Sequence, residues 1–143
     1  VALIAVAVAV AAWFRPTHES ASFSDQQSAQ AKKDVCTASL VVNKAVFVKN
    51  PNPNPPDPVN QVAVASNVRL ALLGGGAYLR DTVDAAPAAP ADLAKAANSM
   101  AKTLQQLGIN YVAGTDNPAL VKPLQQDLNS AMSQINRICG FKP

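Results

Sequence analysis

The sequence predicts an all-α protein: an N-terminal transmembrane helix followed by an antiparallel four-helix bundle closed by one disulfide. Three observations point there. Val1–Phe14 reads VALIAVAVAVAAWF, without a charge or a hydroxyl. Beyond it, four stretches repeat apolar residues every three or four positions, the spacing of one helix face, and proline or glycine breaks separate them. Two cysteines, Cys36 and Cys139, lie in the first and last of these stretches.

Fourteen helical residues rise about 21 Å, short of a hydrocarbon core of roughly 30 Å. The sequence begins inside the apolar run without an initiator Met, so the run reads as the later part of a membrane span. Trp13 and Phe14 then fall at the water interface, where aromatic belts form, and Arg15 follows them. The competing reading is a secretory signal, with Ala7-Val8-Ala9 or Val10-Ala11-Ala12 as the small-residue site. Bulky Trp13-Phe14 and then Pro16 suit an anchor better. A third reading, a buried core helix, is disfavoured because fourteen consecutive apolar residues leave no face for water. The expected organisation is an anchor over residues 1–14, a juxtamembrane linker over 15–23 and an extracytoplasmic helical domain over 24–143. His18, the single histidine, falls in the linker and reads as a solvated residue without a catalytic partner.

The formal net charge of +3 is small and scattered, and the basic pair Lys32-Lys33 is followed at once by Asp34. That excludes the electrostatic footprint of a nucleic-acid binder. One histidine and two cysteines without a CxxC spacing make no metal site, and no cofactor is expected. The cysteines are then either two buried thiols or a disulfide. After an export or anchor signal the disulfide is the better reading, because such compartments are oxidising.

Ser24 with Gln27 forms a capping box that starts the first helix, expected to run to about Val48. Its predicted core stripe is Ala29, Cys36, Leu40 and Phe47, widened by Val35, Val42 and Val46. Leu40–Val42 and Val46–Val48 also have strand propensity, but the polar pattern before them continues straight into the helix. Lys49–Pro58 cannot be helical, since its five prolines remove donors and fix φ. Asn50, Pro51, Asn52, Pro53, Asn54, Pro55, Pro56 and Asp57 make it a stiff connector and the candidate interaction loop.

Asp57 caps the second helix and Pro58 takes its first position. Val59, Val62, Ala63, Ser66, Leu70, Leu73, Ala77 and Val83 form its stripe, with Leu72 and Leu79 beside it. Gly74-Gly75-Gly76 interrupts that stripe. It cannot be a phosphate loop, because no strand precedes it and no Lys-Ser/Thr follows. It marks a kink or a close helix approach, with the helix resuming to about Asp84. Ala85–Pro90 is a tight connector. The third helix opens at Ala91-Asp92 and runs on Leu93, Ala97, Met100, Leu104, Leu107 and Tyr111 to a stop at Gly114. Asn117-Pro118 starts the fourth, with Leu120, Val121, Leu124, Leu128, Met132, Ile135 and Ile138 as its stripe. Pro123 falls in its early turns and Gly140 ends it.

In an up-down-up-down bundle, joining Cys139 to Cys36 leaves Ser24–Lys33 projecting towards the membrane as a stalk. The domain is expected outside the cytoplasmic membrane. Arg15, Lys32 and Lys33 oppose that orientation under the positive-inside rule, so a more basic tail is expected before Val1. The order of features, an Ala/Val anchor ending Trp-Phe-Arg, then FSDQQSAQAKKDVC, then an alanine-rich helical domain closing in INRICG, resembles the alanine- and proline-rich membrane-anchored proteins of mycobacteria. The most specific parts are Phe23–Cys36, Gln61–Leu79 and Cys139. The resemblance implies a location and an architecture and brings no activity with it.

No nucleophile-base-acid set, paired carboxylates or metal cluster is legible, so an enzyme is not expected. The expected function is a non-catalytic, membrane-anchored extracytoplasmic interaction or structural module of the cell envelope. Its partners would be the cytoplasmic membrane and another envelope protein or a lipid. The alternative is a carrier or sensor holding a small apolar ligand, such as a lipid, between helices.

Overall fold

The computed structural model describes residues 22–47, 56–115 and 117–141. These form four helices and no strand: α1, Asp25–Val46; α2, Pro58–Asp84; α3, Ala91–Ala113; and α4, Pro118–Cys139. Local chemistry sets most boundaries. Ser24 Oγ accepts from the Gln27 backbone N–H at 3.2 Å, and the Gln27 side chain accepts from the Ser24 N–H at 2.8 Å. This reciprocal pair satisfies two donors that the first turn leaves without intrahelical partners. Asp57 and Asn117 do the same singly, accepting from the N–H groups of Asn60 (3.1 Å) and Leu120 (3.2 Å) ahead of Pro58 and Pro118. α3 follows Pro90 without a side-chain cap. Gly114 and Gly140 end α3 and α4 at φ of 66° and 72°, a left-handed conformation that costs a side chain dearly. Pro123 is exposed, and α4 continues through it.

α3 sits at the centre. It touches each of the other three helices, whereas α2 and α4 do not touch. Leu93, Ala96, Ala97, Met100, Ala101, Leu104 and Leu107 are all buried on it, so the expected stripe of this helix is the core, with Tyr111 half-buried at its end. On α4, Val121, Leu128 and Ile135 are buried as expected, but Leu120 is exposed. No buried side-chain nitrogen or oxygen among the described residues lacks a partner. Ser39 shows how one is satisfied, its hydroxyl donating to the Val35 carbonyl at 2.8 Å.

Two stripes differ from expectation. On α1 the buried set is Ala31, Val35, Cys36, Ala38, Ser39 and Val42, while Ala29, Leu40 and Phe47 are exposed. The true face lies about a quarter turn round from the expected one, since each residue advances the helix by roughly 100°. α1 is apolar on both faces, so periodicity alone cannot choose between them. The chosen face carries small Ala31 and Ala38, and Val42 reaches α2 close to Gly75. On α2 the buried set is Leu72, Gly76, Leu79 and Val83, and Val59, Val62 and Leu70 are exposed.

The glycine triplet marks a close approach within an unbroken helix. A Cβ built on Gly76 would lie 2.7 Å from the Ala101 carbonyl oxygen and from Gln105 Cγ. Backbone oxygen cannot move aside, so Gly76→Ala should destabilise by about 1–3 kcal/mol. Gly74 has nothing within 4 Å of its Cβ position, and Gly74→Ala should stabilise by up to about 1 kcal/mol through helix propensity. Thermal unfolding of the two variants should therefore shift in opposite directions.

Contacts along α2 pair Gly75 with Val42, Gly76 with Ala101 and Gln105, and Leu72 and Leu73 with Gly108. Residue numbers on α3 therefore fall as those on α2 rise. The first turns of α1 do not stand free as a stalk. Phe23, Gln27 and Ala31 share a groove with Ala85–Ala88, and Ala31 and Ala86 are buried. The short α2–α3 connection lies along one side of this segment, whose other residues from Ser24 to Gln30 are exposed apart from half-buried Ser28.

Candidate interaction surface

Cys36 and Cys139 are joined, with Cα atoms 5.8 Å apart at a sequence separation of 103. That distance is ordinary for a disulfide. The bond ties the last residue of α4 to the third turn of α1. Among the described residues no group of three or more His, Cys, Asp or Glu side chains could hold a metal ion.

Of the other residues singled out from the sequence, Trp13, Phe14 and Arg15 lie outside the described residues, as do Asn50, Pro51, Asn52, Pro53, Asn54 and Pro55. Pro56 and Asp57 are described and exposed, and the Asp57 carboxylate is committed to capping α2. In the other connection, Thr115 donates its hydroxyl to the Asn110 side-chain oxygen at 2.8 Å, bracing the chain just past Gly114.

The residues bordering these two connections are apolar and open to water. Phe47 at the end of α1 is 46% exposed, and Val59 and Val62 at the start of α2 are 74% and 65% exposed. Val112 near the end of α3 and Leu120 near the start of α4 are 56% and 47% exposed. No charged residue occurs from Pro58 to Val68. By length and composition α2 is the one helix among the described residues apolar enough to cross a membrane.

Sequence reasoning placed Phe47, Val59, Val62, Leu70 and Leu120 on buried stripes and so missed them as surface. A signal for α2 was present in the element lengths. α2 spans 27 residues against 22 for α1 and 23 for α3. At 1.5 Å per residue α3 falls short of it by roughly 6 Å and α1 by roughly 7.5 Å even in perfect alignment.

Grooves open on the surface of the described residues, and three of them bear on the surface chemistry. One of about 290 Å³ lies between Phe23, Gln27 and Ala31 and the Ala85–Ala88 connection. A second, of about 320 Å³, runs beside the disulfide and is flanked by Lys32, Lys33 and Phe141. A third, of about 210 Å³, lies among Ala65, Val68, Arg69 and Tyr111. None of the three assembles a nucleophile with a base.

No protein-family model matches this chain, and no curated protein or solved structure matches it either.

Proposed function

We propose that this chain is a non-catalytic interaction module of a cell envelope, held at the membrane by residues 1–14 with its helical domain on the extracytoplasmic side. Its resemblance to the alanine- and proline-rich membrane-anchored proteins of mycobacteria agrees with that setting. The four helices then run antiparallel in sequence order, a layout supported by the opposed numbering of the α2–α3 contacts. In that layout the end of α1, the start of α2 and the Gly114–Asn117 turn gather at the membrane-distal end.

The carrying observation is the contrast between the two parts of the domain. The α2–α3 interface is closed so tightly at Gly76 that a single methyl group would not fit. Phe47, Val59, Val62, Val112 and Leu120, which flank the two connections in sequence, are left exposed. Clustered exposed apolar residues of this kind mark binding surfaces. A carrier needs a chamber between helices, and the close α2–α3 packing supports the interaction reading over it.

Crosslinking in intact cells tests this. Asn50–Pro56 should be replaced by a Gly/Ser linker of equal length, with Asp57 retained as the cap of α2. Helical content should stay nearly unchanged while crosslinks to envelope components fall, since the prolines reduce the entropy lost when the loop is held. Unchanged capture, combined with loss of capture when Ser24–Lys33 is altered, would place the recognition surface at the membrane end instead.

A further inference from the structure

We propose that the outer face of α2 is a seam for a second copy of this chain, paired in parallel. The proposal rests on the interaction reading above and names one partner for that surface. Val59, Ala63, Ser66, Leu70, Leu73 and Ala77 recur at alternating steps of four and three. This is the a/d pattern of a two-stranded coiled coil, carried through three pairs of positions. It is a different face from the core face. Leu72, Gly76, Leu79 and Val83 face the protein interior, and the second stripe lies roughly 110–130° round the helix from them.

The described part of the chain leaves Val59, Ala63, Ser66 and Leu70 of that stripe exposed. α1 meets α2 at Gly75, α3 meets it at Gly76 and at Leu72 and Leu73, and α4 does not touch it. Every residue from Pro58 to Ala63 is exposed, as is Ser66, and Leu70 is 69% exposed. Leu73 and Ala77 continue the stripe half-buried along the outer edge of the α2–α3 contact.

Charge and shape select the occupant. An amphipathic helix that lies on a membrane carries Lys or Arg along its polar face. Here Asp57 precedes the helix and Arg69 is its first cation, which gives a lipid surface no electrostatic hold. A second α2 fits. In parallel register identical residues of the stripe face each other, and the flanking positions pair Val62 with Asn67 and Arg69 with Gly74 of the other copy. No like charges meet until Arg80, the next seam position, where two guanidinium groups would face and the seam ends. Small Ala63 and Ser66 let the helices approach, and Val59 and Leu70 supply the apolar contact. Parallel pairing also sets both N-termini at the same end, as anchorage in one membrane requires, and tethering raises the effective concentration of the two copies.

The test uses the full chain in membranes, with single cysteines introduced at Ser66 and, as an off-seam control on the same exposed segment, at Asn60. Mild oxidation should convert Ser66→Cys to a covalent dimer while leaving Asn60→Cys monomeric, with the native disulfide intact in both. Leu70→Glu, on an exposed position, should keep the helical content and weaken association by about tenfold or more, the scale of losing one buried leucine contact. Equal crosslinking at Ser66 and Asn60 would overturn the proposal, as would a monomeric mass for the unmodified full chain. Crosslinks formed only between a Val59→Cys copy and a Leu70→Cys copy would overturn the parallel register. Retained partner capture in cells with no Ser66 crosslink would remove this inference and leave the interaction reading standing.

Discussion

Breaking the Cys36–Cys139 bond lowers the unfolding free energy by up to about 4–5 kcal/mol, the loop-closure entropy that a cross-link spanning about a hundred residues removes from the unfolded chain. The bond joins positions separated by 103 residues, so nearly the whole helical domain lies inside the closed loop. The loss should not fall evenly. α4 packs on α3, meets α1 over a short contact that includes the disulfide, and does not touch α2. Once the bond is gone, α4 is held by α3 and by that residual contact. Denaturant unfolding of the Cys36→Ser/Cys139→Ser variant should therefore show a midpoint well below that of the oxidised protein. Hydrogen exchange in the variant should rise first in α4, ahead of the α2–α3 pair that closes at Gly76. Coincident unfolding curves for the two forms would refute the assignment of the bond as a structural staple.

Replacing Leu104 by alanine should cost about 2–5 kcal/mol, the range for emptying a fully buried leucine site. Leu104 is 0% exposed and sits on α3, which makes the most extensive contacts with its neighbours α2 and α4 and also touches α1. Its neighbours cannot collapse freely into the vacated space, because the α2–α3 spacing is already limited by backbone contact at Gly76. Leu40→Ala is the informative comparison. Leu40 belongs to the stripe that periodicity assigns to the core of α1, yet it is 37% exposed. Its truncation should cost less than half as much, because part of its surface is in water already. Thermal or denaturant unfolding of the two variants reads the difference directly. A cost for Leu40→Ala equal to that of Leu104→Ala would mean that α1 packs on its other face.

The ends of the helices were legible in the sequence because they are decided locally. Ser24 with Gln27, Asp57 with Pro58, and Asn117 with Pro118 each act within one turn, and each begins a helix where it was expected. Gly114 and Gly140 end helices for the same reason, because a left-handed residue is tolerated there only without a side chain. The stripe of α3 was legible too, since from Leu93 to Leu107 this helix is apolar on one broad face; Ile109 and Val112 near its end are apolar but exposed. The cysteine pairing followed from there being two cysteines and from the oxidising setting that the apolar N-terminal run led one to expect.

The tertiary structure decided what a periodic pattern leaves open when a helix has more than one apolar face. On α1 it selected Ala31, Val35, Ala38 and Val42 over Ala29, Leu40 and Phe47, because small side chains permit close packing against α2. On α2 it selected Leu72, Gly76, Leu79 and Val83, and it resolved the glycine triplet into a close approach of two backbones. Sequence spacing cannot report that approach, because it depends on where the Ala101 carbonyl of another helix arrives. The stripe from Val59 to Leu70 was read correctly as helical and apolar. Its exposure was not legible from periodicity, because burial is a property of neighbours: on this part of α2 Tyr111 of α3 reaches only the side carrying Ala65, Val68 and Arg69, while Val59, Val62, Ala63, Ser66 and Leu70 stay exposed.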